Sequence, residues 1–301
     1  MAVEVSHDLA PQGWLVVARI MRIHQWSKNL LVFAPMVLSG RYDGPTLLRV
    51  LAGFVSLSLA ASALYVINDL IDVDRDRAHP LKRLRPVAAG HATPASALAI
   101  GAASAAASLG LAAVLGASAV LAVAAYAVCS LSYQGLWKHL LLADVLMLAV
   151  LYSFRLYAGG VYAQVEISDW LIVFAVFFFL GLAVMKRLVD LANRDPALPV
   201  PDTGYRPQET QLLQTFGITA SMTSFAVLAL YVFSERSRAI YAHPELLWGV
   251  WLVVFYCVGR LWFSIGRGEV KEDPVTYVLR ARYCQLSIVL ALLLMWVARH
   301  P

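Results

Sequence analysis

The sequence comprises 301 residues, of which 60% are hydrophobic and 14% are charged, with a net charge of +5. Soluble domains carry roughly 25% charged residues, so this composition excludes an ordinary soluble globular protein. Disordered chains combine low hydrophobicity with high net charge, and the composition excludes them as well. We therefore predict an integral membrane protein.

Nine apolar runs along the chain predict an all-α membrane protein, since a membrane helix needs about 20 mostly apolar residues. We expect one transmembrane catalytic domain over residues 1–301, with residues 1–20 as an N-terminal cytoplasmic segment. The uncharged block 92–137 is too long for one crossing, and we divide it near Gly116. The nine predicted spans are 29–44, 48–68, 93–113, 117–137, 139–160, 169–185, 210–234, 245–265 and 283–299.

Basic residues are distributed unevenly between the two sides of these spans. Counting the loops alternately places seventeen Lys and Arg residues on one side and five on the other. The cytoplasmic loops of membrane proteins carry the excess of Lys and Arg. We therefore predict a multi-pass protein of the inner (cytoplasmic) membrane, with its N-terminus in the cytoplasm and its C-terminus outside.

Four side chains with oxygen ligands follow the second span: Asn68, Asp69, Asp72 and Asp76. Their spacings place them on one face of a helix over about two turns. Carboxylates this close repel one another unless a cation lies among them, and Mg²⁺ prefers a few carboxylates with water and phosphate oxygens. We predict that Asn68, Asp72 and Asp76 bind Mg²⁺ and that Asp69, Asp72 and Asp76 are catalytic. A solvated helix end with Asp–Arg pairs is the alternative.

A basic run follows the acidic one and contains Lys82, Arg83 and Arg85. A guanidinium can hold phosphate through two parallel hydrogen bonds, and an ammonium supplies a compact charge. Acids that hold a metal beside bases that hold phosphates indicate a diphosphate leaving group. We therefore predict that these three residues bind substrate and that the active site lies on the cytoplasmic side.

Charged residues also occur in two other regions, one beside a span and one within a span. Lys186, Arg187 and Asp190 lie at the end of the sixth span, and Arg155 lies within the fifth. Ionisable residues at such depth are functional candidates by default. We predict that all four bind substrate, although a structural ion pair with Asp144 explains Arg155 equally well.

The nine spans, with an Asn-Asp-x-x-Asp-x-x-x-Asp motif at residues 68–76, resemble the UbiA superfamily of intramembrane prenyltransferases. Three segments resemble its decaprenyl-phosphate phosphoribosyltransferase branch more closely. They are Gln-Trp-Ser-Lys-Asn-Leu at 25–30, the run His-Pro-Leu-Lys-Arg-Leu-Arg-Pro-Val-Ala-Ala-Gly at 79–90, and Lys-Arg with a following acid at 186–190.

The resemblance implies a UbiA-like bundle around a cytoplasm-facing cavity, with Mg²⁺ as the cofactor. It implies transfer of 5-phosphoribose from 5-phosphoribosyl 1-diphosphate to polyprenyl (decaprenyl) phosphate, with release of diphosphate. The product would be a lipid-linked arabinose precursor for cell-wall arabinan. It also adds Lys28 and Asn29 to the predicted substrate-binding residues.

Two other functions compete with phosphoribosyl transfer. The first is a Mg²⁺-dependent prenyltransferase that uses a polyprenyl diphosphate and an aromatic or isoprenoid acceptor. Ordinary family members carry a second aspartate-rich motif after the sixth span, and Lys186 and Arg187 replace it here, which disfavours that function. The second is a transporter or non-catalytic lipid-binding protein, disfavoured because transporters place ionisable residues near the bilayer midplane. The expected partners are the two substrates and the bilayer; we expect no nucleic acid and leave a homo-oligomer open.

Overall fold

A computed structural model describes residues 13–78, 82–193 and 204–300 of the chain, and every regular element in these ranges is helical. His79, Pro80 and Leu81 of the basic run lie outside the described residues. The α-helices are α1 Gly13–Ile20, α2 Ala34–Ser39, α3 Gly44–Ile71, α4 Val73–Ala78, α5 Pro94–Leu115, α6 Ala117–Gly135, α7 Ala143–Ala163, α8 Asp169–Ala192, α9 Thr210–Phe233, α10 Glu235–Ile240, α11 Leu247–Gly266, α12 Pro274–Arg280 and α13 Arg282–Arg299.

Eight of these helices, α3, α5–α9, α11 and α13, are long and apolar enough to cross a membrane. They coincide with the second to ninth predicted spans, which confirms the all-α membrane architecture. Gly116 separates α5 from α6 with φ of 117°, so the uncharged block is divided where the sequence predicted. Helix α8 continues to Ala192 and carries the cations of the sixth span within its last two turns.

The first predicted span, 29–44, is not a long α-helix. A 3₁₀ helix of 11 residues, Ile23–Phe33, leads directly into α2, which has six residues. A 3₁₀ helix rises about 2.0 Å per residue and an α-helix 1.5 Å, so the two together extend about 31 Å. This matches the roughly 30 Å hydrocarbon core of a bilayer. The segment is therefore long enough to cross, although it has fewer residues than an ordinary membrane helix.

Hydrogen bonds between side chains fix this segment against α3. Trp26 Nε1 donates to Ser62 Oγ at 3.0 Å, and Asn29 Nδ2 donates to Ser58 Oγ at 3.0 Å. Three residues of a 3₁₀ helix and four residues of an α-helix both rise about 6 Å, so the two pairs are in register. Farther along, Val32 is fully buried, and a Cβ on Gly159 would lie 2.3 Å from its carbonyl oxygen.

The chain forms two compact units. The first contains residues 1–131 and 158–165, and the second contains residues 132–157 and 166–301. In the first unit, Arg49 at the start of α3 donates to the carbonyls of Leu115 and Tyr162 at 2.9 and 3.3 Å. These carbonyls belong to the last turns of α5 and α7, where a cation is favourable. In the second unit, an apolar cluster around Tyr241 and Leu247 packs α11 against α13.

Candidate functional site

The predicted acidic face forms at the end of α3. Helix α3 ends at Ile71 and Asp72 caps it, but the backbone ladder continues into α4. The amide of Asp72 donates to the carbonyl of Asn68 at 2.9 Å, and that of Asp76 donates to the carbonyl of Asp72 at 2.8 Å. Because this α-helical register is kept, the four oxygen-bearing residues remain on one face.

Two of the predicted catalytic acids are joined by one arginine from the basic run. Asp69 and Asp76 are 6% and 2% exposed. Arg85 Nη1 lies 3.0 Å from Asp69 Oδ1 and 2.6 Å from Asp76 Oδ2. Hydrogen bonds between ionised partners are roughly twice as strong as neutral ones, so Arg85 is a direct counter-ion of both buried carboxylates.

A second arginine contacts the same acid from the start of the 3₁₀ helix. Arg22 Nη2 donates to Asp69 Oδ1, and the Arg22 guanidinium lies 4.9 Å from the centre of the Tyr65 ring. Arg22 has φ of 49° and ψ of 47°, a left-handed conformation that only a few per cent of non-glycine residues adopt. With its backbone in this conformation, Arg22 directs its side chain toward Asp69.

Apolar packing holds the loop that presents Arg85. Val87, two residues farther on, is buried in a cluster with Ile20, Val66 and Ala97. The loop then turns at Gly90, whose φ of 76° favours glycine. The anchored Val87 therefore keeps the backbone of Arg85 beside the end of α3.

The two remaining members of the acidic face are less enclosed. Asn68 is half-buried, and the side chain of Asp72 is 20% exposed with Arg75 Nη1 3.9 Å away. Within the described residues, no three His, Cys, Asp or Glu side chains converge as a ready-made metal site. Mg²⁺ nevertheless needs only one or two carboxylates plus water and substrate phosphates. The hard oxygen donors of Asn68, Asp72 and Asp76 fit that requirement.

The other predicted substrate-binding residues of the first unit lie either in the turn that contacts α4 or farther back alongside α3. Lys82 and Arg83 lie in a 3₁₀ turn, Lys82–Leu84, with Arg83 exposed. Lys28 and Asn29 are buried in the 3₁₀ helix, and Asn29 bonds to Ser58, eleven residues before Asp69 on α3. That is about three helical turns, so Asn29 lies deeper than the acids. Its predicted role in substrate binding stays a prediction.

The second unit contains a buried network around Arg187. Arg187 Nε and Nη2 donate to Asp144 Oδ2 and Oδ1 at 2.6 and 2.7 Å, and Nη1 donates to Asp190 Oδ2 at 2.8 Å. Tyr133 accepts from Arg187 Nη2 at 2.9 Å and donates to Asp144 Oδ1 at 2.9 Å. Asp144 is fully buried. Arg187 is therefore tied to two acids, and the structural ion pair that the sequence offered to Arg155 is made by Arg187.

Arg155 and Lys186 have different surroundings. Arg155 is buried, donates to the carbonyl of Leu151 at 2.6 Å and lies 5.1 Å from the centre of the Tyr152 ring. Lys186 Nζ lies 3.8 Å from Asp273 Oδ2 and is 30% exposed. Lys186 is thus more accessible to an anionic ligand than its neighbour in the chain, Arg187.

Sequence analysis missed three residues that shape these clusters: Arg22, Tyr133 and Tyr205. Tyr205 is buried and accepts a hydrogen bond from the amide of Leu142 at 3.2 Å. Burial raises the pKa of Tyr205 to about 12, so the phenol is neutral at physiological pH. Since Arg22 is 47 residues from Asp69 in the chain and Tyr133 is 54 from Arg187, no local spacing could have indicated either contact.

Comparison with known proteins places the fold. Residues 30–274 match the UbiA prenyltransferase family. The structure of a UbiA homolog from Archaeoglobus fulgidus bound to GPP and Mg²⁺ superposes with a TM-score of 0.67 at 17% sequence identity. The superposition covers 94% of this chain and 98% of that one. At this identity, the likeness concerns the fold alone.

Curated relatives are more similar in sequence. A decaprenyl-phosphate phosphoribosyltransferase of Mycobacterium tuberculosis is 36% identical over 294 residues, which are 94% of this chain and 92% of the relative. An uncharacterized protein of Sinorhizobium fredii, y4nM, is 33% identical over 283 residues, or 92% of this chain. The chain spans about half of that relative's length, 53%.

Proposed function

The chain belongs to the UbiA prenyltransferase family, and from this premise we propose that it transfers 5-phosphoribose from 5-phosphoribosyl 1-diphosphate to a polyprenyl phosphate, releasing diphosphate. The homologues named decaprenyl-phosphate phosphoribosyltransferase make the chain a transferase. The name of the relative that is 36% identical supports these substrates. The product would serve as a lipid-linked arabinose precursor for cell-wall arabinan.

The ion pairs of Arg187 with Asp144 and Asp190 are the observation that favours this proposal over a prenyltransferase that uses a prenyl diphosphate. A second metal site for a prenyl diphosphate needs carboxylates that are available to a cation. Both oxygens of Asp144 contact Arg187, and so does one oxygen of Asp190. Breaking such a buried pair is strongly unfavourable, by about 3–5 kcal/mol. Arg187 lies in a helix with its side chain 10% exposed and its partner Asp144 fully buried, so this guanidinium stays in place and disfavours a metal here. Lys186 beside it favours an anionic ligand.

In the proposed reaction, an oxygen of the lipid phosphate forms a bond to C1 of the ribose. The bond from C1 to the diphosphate oxygen breaks, and its electron pair leaves with the diphosphate. The lipid phosphate is already an anion, so the site needs no strong base. Its task is to hold the nucleophile in line with C1, exclude water and stabilise the charge that develops on the leaving group.

Within the first unit we assign binding of the diphosphate to the basic residues beside the acidic face. Within the second unit we assign binding of an anionic group to Lys186. Lys82, Arg83 and Arg85 bind the donor phosphates, Lys28 assists them, and the assignment of Asn29 and Arg155 to substrate contact rests on sequence alone. Asn68, Asp72 and Asp76 would hold Mg²⁺, and Asp69 pairs with Arg22 and, before the donor binds, with Arg85. When bound, Mg²⁺ supplies charge neutralisation at the departing diphosphate. Lys186 binds an anionic group, and Asp190 holds the neighbouring Arg187.

The proposed reaction also has consequences for the cellular location and orientation of the protein. Helices of this length and composition fit a multi-pass membrane protein, and its lipid substrate is dissolved in the bilayer. The Lys and Arg excess of the loops that carry the acidic and basic runs favours the cytoplasmic side for both runs.

A direct assay tests the proposal. Purified protein is incubated with labelled 5-phosphoribosyl 1-diphosphate, Mg²⁺ and polyprenyl phosphate, and the lipid fraction is analysed for polyprenyl phosphoribose. A parallel reaction contains a prenyl diphosphate and an aromatic acceptor, because the Archaeoglobus fulgidus homolog binds GPP with Mg²⁺. Label in the lipid only in the first reaction supports the proposal, and prenylation of the acceptor alone would overturn it.

A further inference from the structure

We propose that Arg85 is an internal counter-ion of Asp69 and Asp76, which it holds until the donor arrives and which it must release when Mg²⁺ binds. The inference rests on the proposed function in one respect: it takes Mg²⁺ and a diphosphate as the ligands of this site. It assigns Arg85 a positioning role in addition to phosphate binding.

The geometry that carries the proposal is the position of a single nitrogen. Arg85 Nη1 contacts Asp69 and Asp76 at once, at 3.0 and 2.6 Å. Of these two carboxylates, Asp76 is a proposed metal ligand, so the guanidinium that contacts its Oδ2 competes with a metal ion for that oxygen. The side chain of Asp76 is 3% exposed. Mg²⁺ can therefore reach this Oδ2 only if the guanidinium moves.

The charges of the cluster point in the same direction. Arg22 and Arg85 together neutralise Asp69 and Asp76, so a divalent cation added alone would leave a buried excess of positive charge. A diphosphate brings the missing negative charge. It also offers Arg85 new acceptors, since guanidinium and phosphate form strong charge-assisted hydrogen bonds. Metal and donor should thus bind cooperatively, with Arg85 moving from acids to phosphate.

Arg85 is better placed for this exchange than Arg22. Arg22 lies at the start of the 3₁₀ helix, and Tyr65 covers its guanidinium. Arg85 lies in a loop, and its side chain is 23% exposed against 18% for Arg22, so the two differ in the ring of Tyr65 rather than in exposure. Its backbone is anchored by Val87, so the side chain alone can turn while the loop stays in place.

Binding of Mn²⁺, used as a probe for Mg²⁺, tests the exchange without any substrate. The free Mn²⁺ signal in electron paramagnetic resonance gives the affinity of the purified protein in detergent. Arg85→Gln removes the competing cation, so we expect about tenfold tighter binding than in the wild type, in line with the strength of one charged hydrogen bond. Arg83→Gln is the matched control: it removes the same charge from the same loop, but Arg83 is exposed, and its effect should be much smaller.

Two further variants make the result decisive. Asp72→Asn should weaken Mn²⁺ binding in the Arg85→Gln background, which locates the metal at the acidic face. Arg85→Lys keeps a weaker competitor and should give an intermediate affinity, and it serves as well if Arg85→Gln does not fold. In the folded variants, Mg²⁺ should raise the Tm of Arg85→Gln more than that of the wild type.

Equal Mn²⁺ affinities of Arg85→Gln and Arg83→Gln would overturn the exchange, and so would weaker binding than in the wild type. The fate of the proposed function is decided separately, by the transfer assay on the wild-type protein. Transfer without a gain of affinity in Arg85→Gln removes the exchange alone, whereas a gain of affinity without transfer supports the exchange and removes the proposed substrates.

Discussion

Arg187 and Asp144 form a bidentate ion pair, with Nε and Nη2 of the arginine 2.6 and 2.7 Å from the two carboxylate oxygens. Because Asp144 is fully buried, this pair is a structural element of the second unit. It joins the beginning of α7 to the last turns of α8.

The first prediction concerns the stability of that pair. Asp144→Asn leaves the Arg187 charge without its buried partner, and we expect a loss of about 3–5 kcal/mol in unfolding free energy. Thermal unfolding in detergent measures it. Asp74→Asn is the control, because Asp74 pairs with Arg77 at 3.0 Å with 88% of its side chain exposed, and such exposed pairs contribute about 0–1 kcal/mol. Equal Tm values for the two variants would contradict the structural role.

The second prediction concerns the metal. If Asn68, Asp72 and Asp76 hold Mg²⁺, Asp72→Asn should nearly abolish phosphoribosyl transfer while leaving the Tm close to that of the wild type. EDTA should do the same to the wild-type protein, and added Mg²⁺ should restore it. Asp74→Asn should keep its activity. Full turnover of Asp72→Asn in EDTA would remove the metal from the mechanism.

The third prediction concerns donor binding by Arg83. Charge-assisted contacts contribute roughly 1.5–3 kcal/mol each, so Arg83→Ala should raise the KM for 5-phosphoribosyl 1-diphosphate about tenfold or more. The KM for the lipid should change little. Arg77→Ala removes another exposed arginine of the same region and serves as the control. An unchanged donor KM would leave the charge rule for cytoplasmic loops as sufficient explanation for Arg83.

The fourth prediction separates binding from anchoring at Lys186. Lys186→Asp sets a negative charge against a bound phosphate and should sharply reduce phosphoribosyl transfer. In a prenyl diphosphate enzyme the same change would be tolerated or would strengthen metal binding. Combining it with Asp273→Lys restores an ion pair with reversed charges. Stability should recover in the double variant but transfer should not, and recovery of both would reduce Lys186 to an anchor.

The fifth prediction concerns topology. Since the segment 23–39 extends across a bilayer thickness beside α3, nine crossings should place residue 300 outside and residue 193 in the cytoplasm. Reporter fusions before residue 13 and after residue 300, one active only in the cytoplasm and one only outside, measure the orientation, because nine crossings place these two points on opposite sides and eight place them on the same side. If both reporters indicate the same compartment, the topology is wrong.

Sequence reasoning was accurate where the signal is local. Long apolar runs predicted seven spans to within about four residues and the end of an eighth, α8, to within seven, and a single glycine marked the division between α5 and α6. The shared face of Asp69, Asp72 and Asp76 followed from helical spacing alone. The physical cause is that burial in a bilayer acts on each helix separately, so composition and periodicity are sufficient.

Contacts between distant parts of the chain were beyond such reasoning. Arg85 was predicted to bind phosphate, but nothing in its position indicated a bridge between two acids. Arg187 was predicted to be an available cation, whereas Asp144, 43 residues away, takes up its charge. These pairings depend on packing between elements, which no spacing in the sequence encodes.

Residues 23–33 form a 3₁₀ helix, so side chains along this part of the chain repeat their direction every three residues. Side chains three apart are eclipsed in such a helix, which explains why Trp26, Asn29 and Val32 all face inward. Inserting one alanine after Ser27 would turn everything beyond it by about 120°, and Asn29 would lose Ser58. Inserting three would preserve the facing stripe but lengthen the crossing by about 6 Å. We therefore expect insertions in this segment to be poorly tolerated, and insertions of three residues to disturb its inward-facing side chains less than insertions of one or two. The neighbouring α-helices have a different period and should not show this dependence.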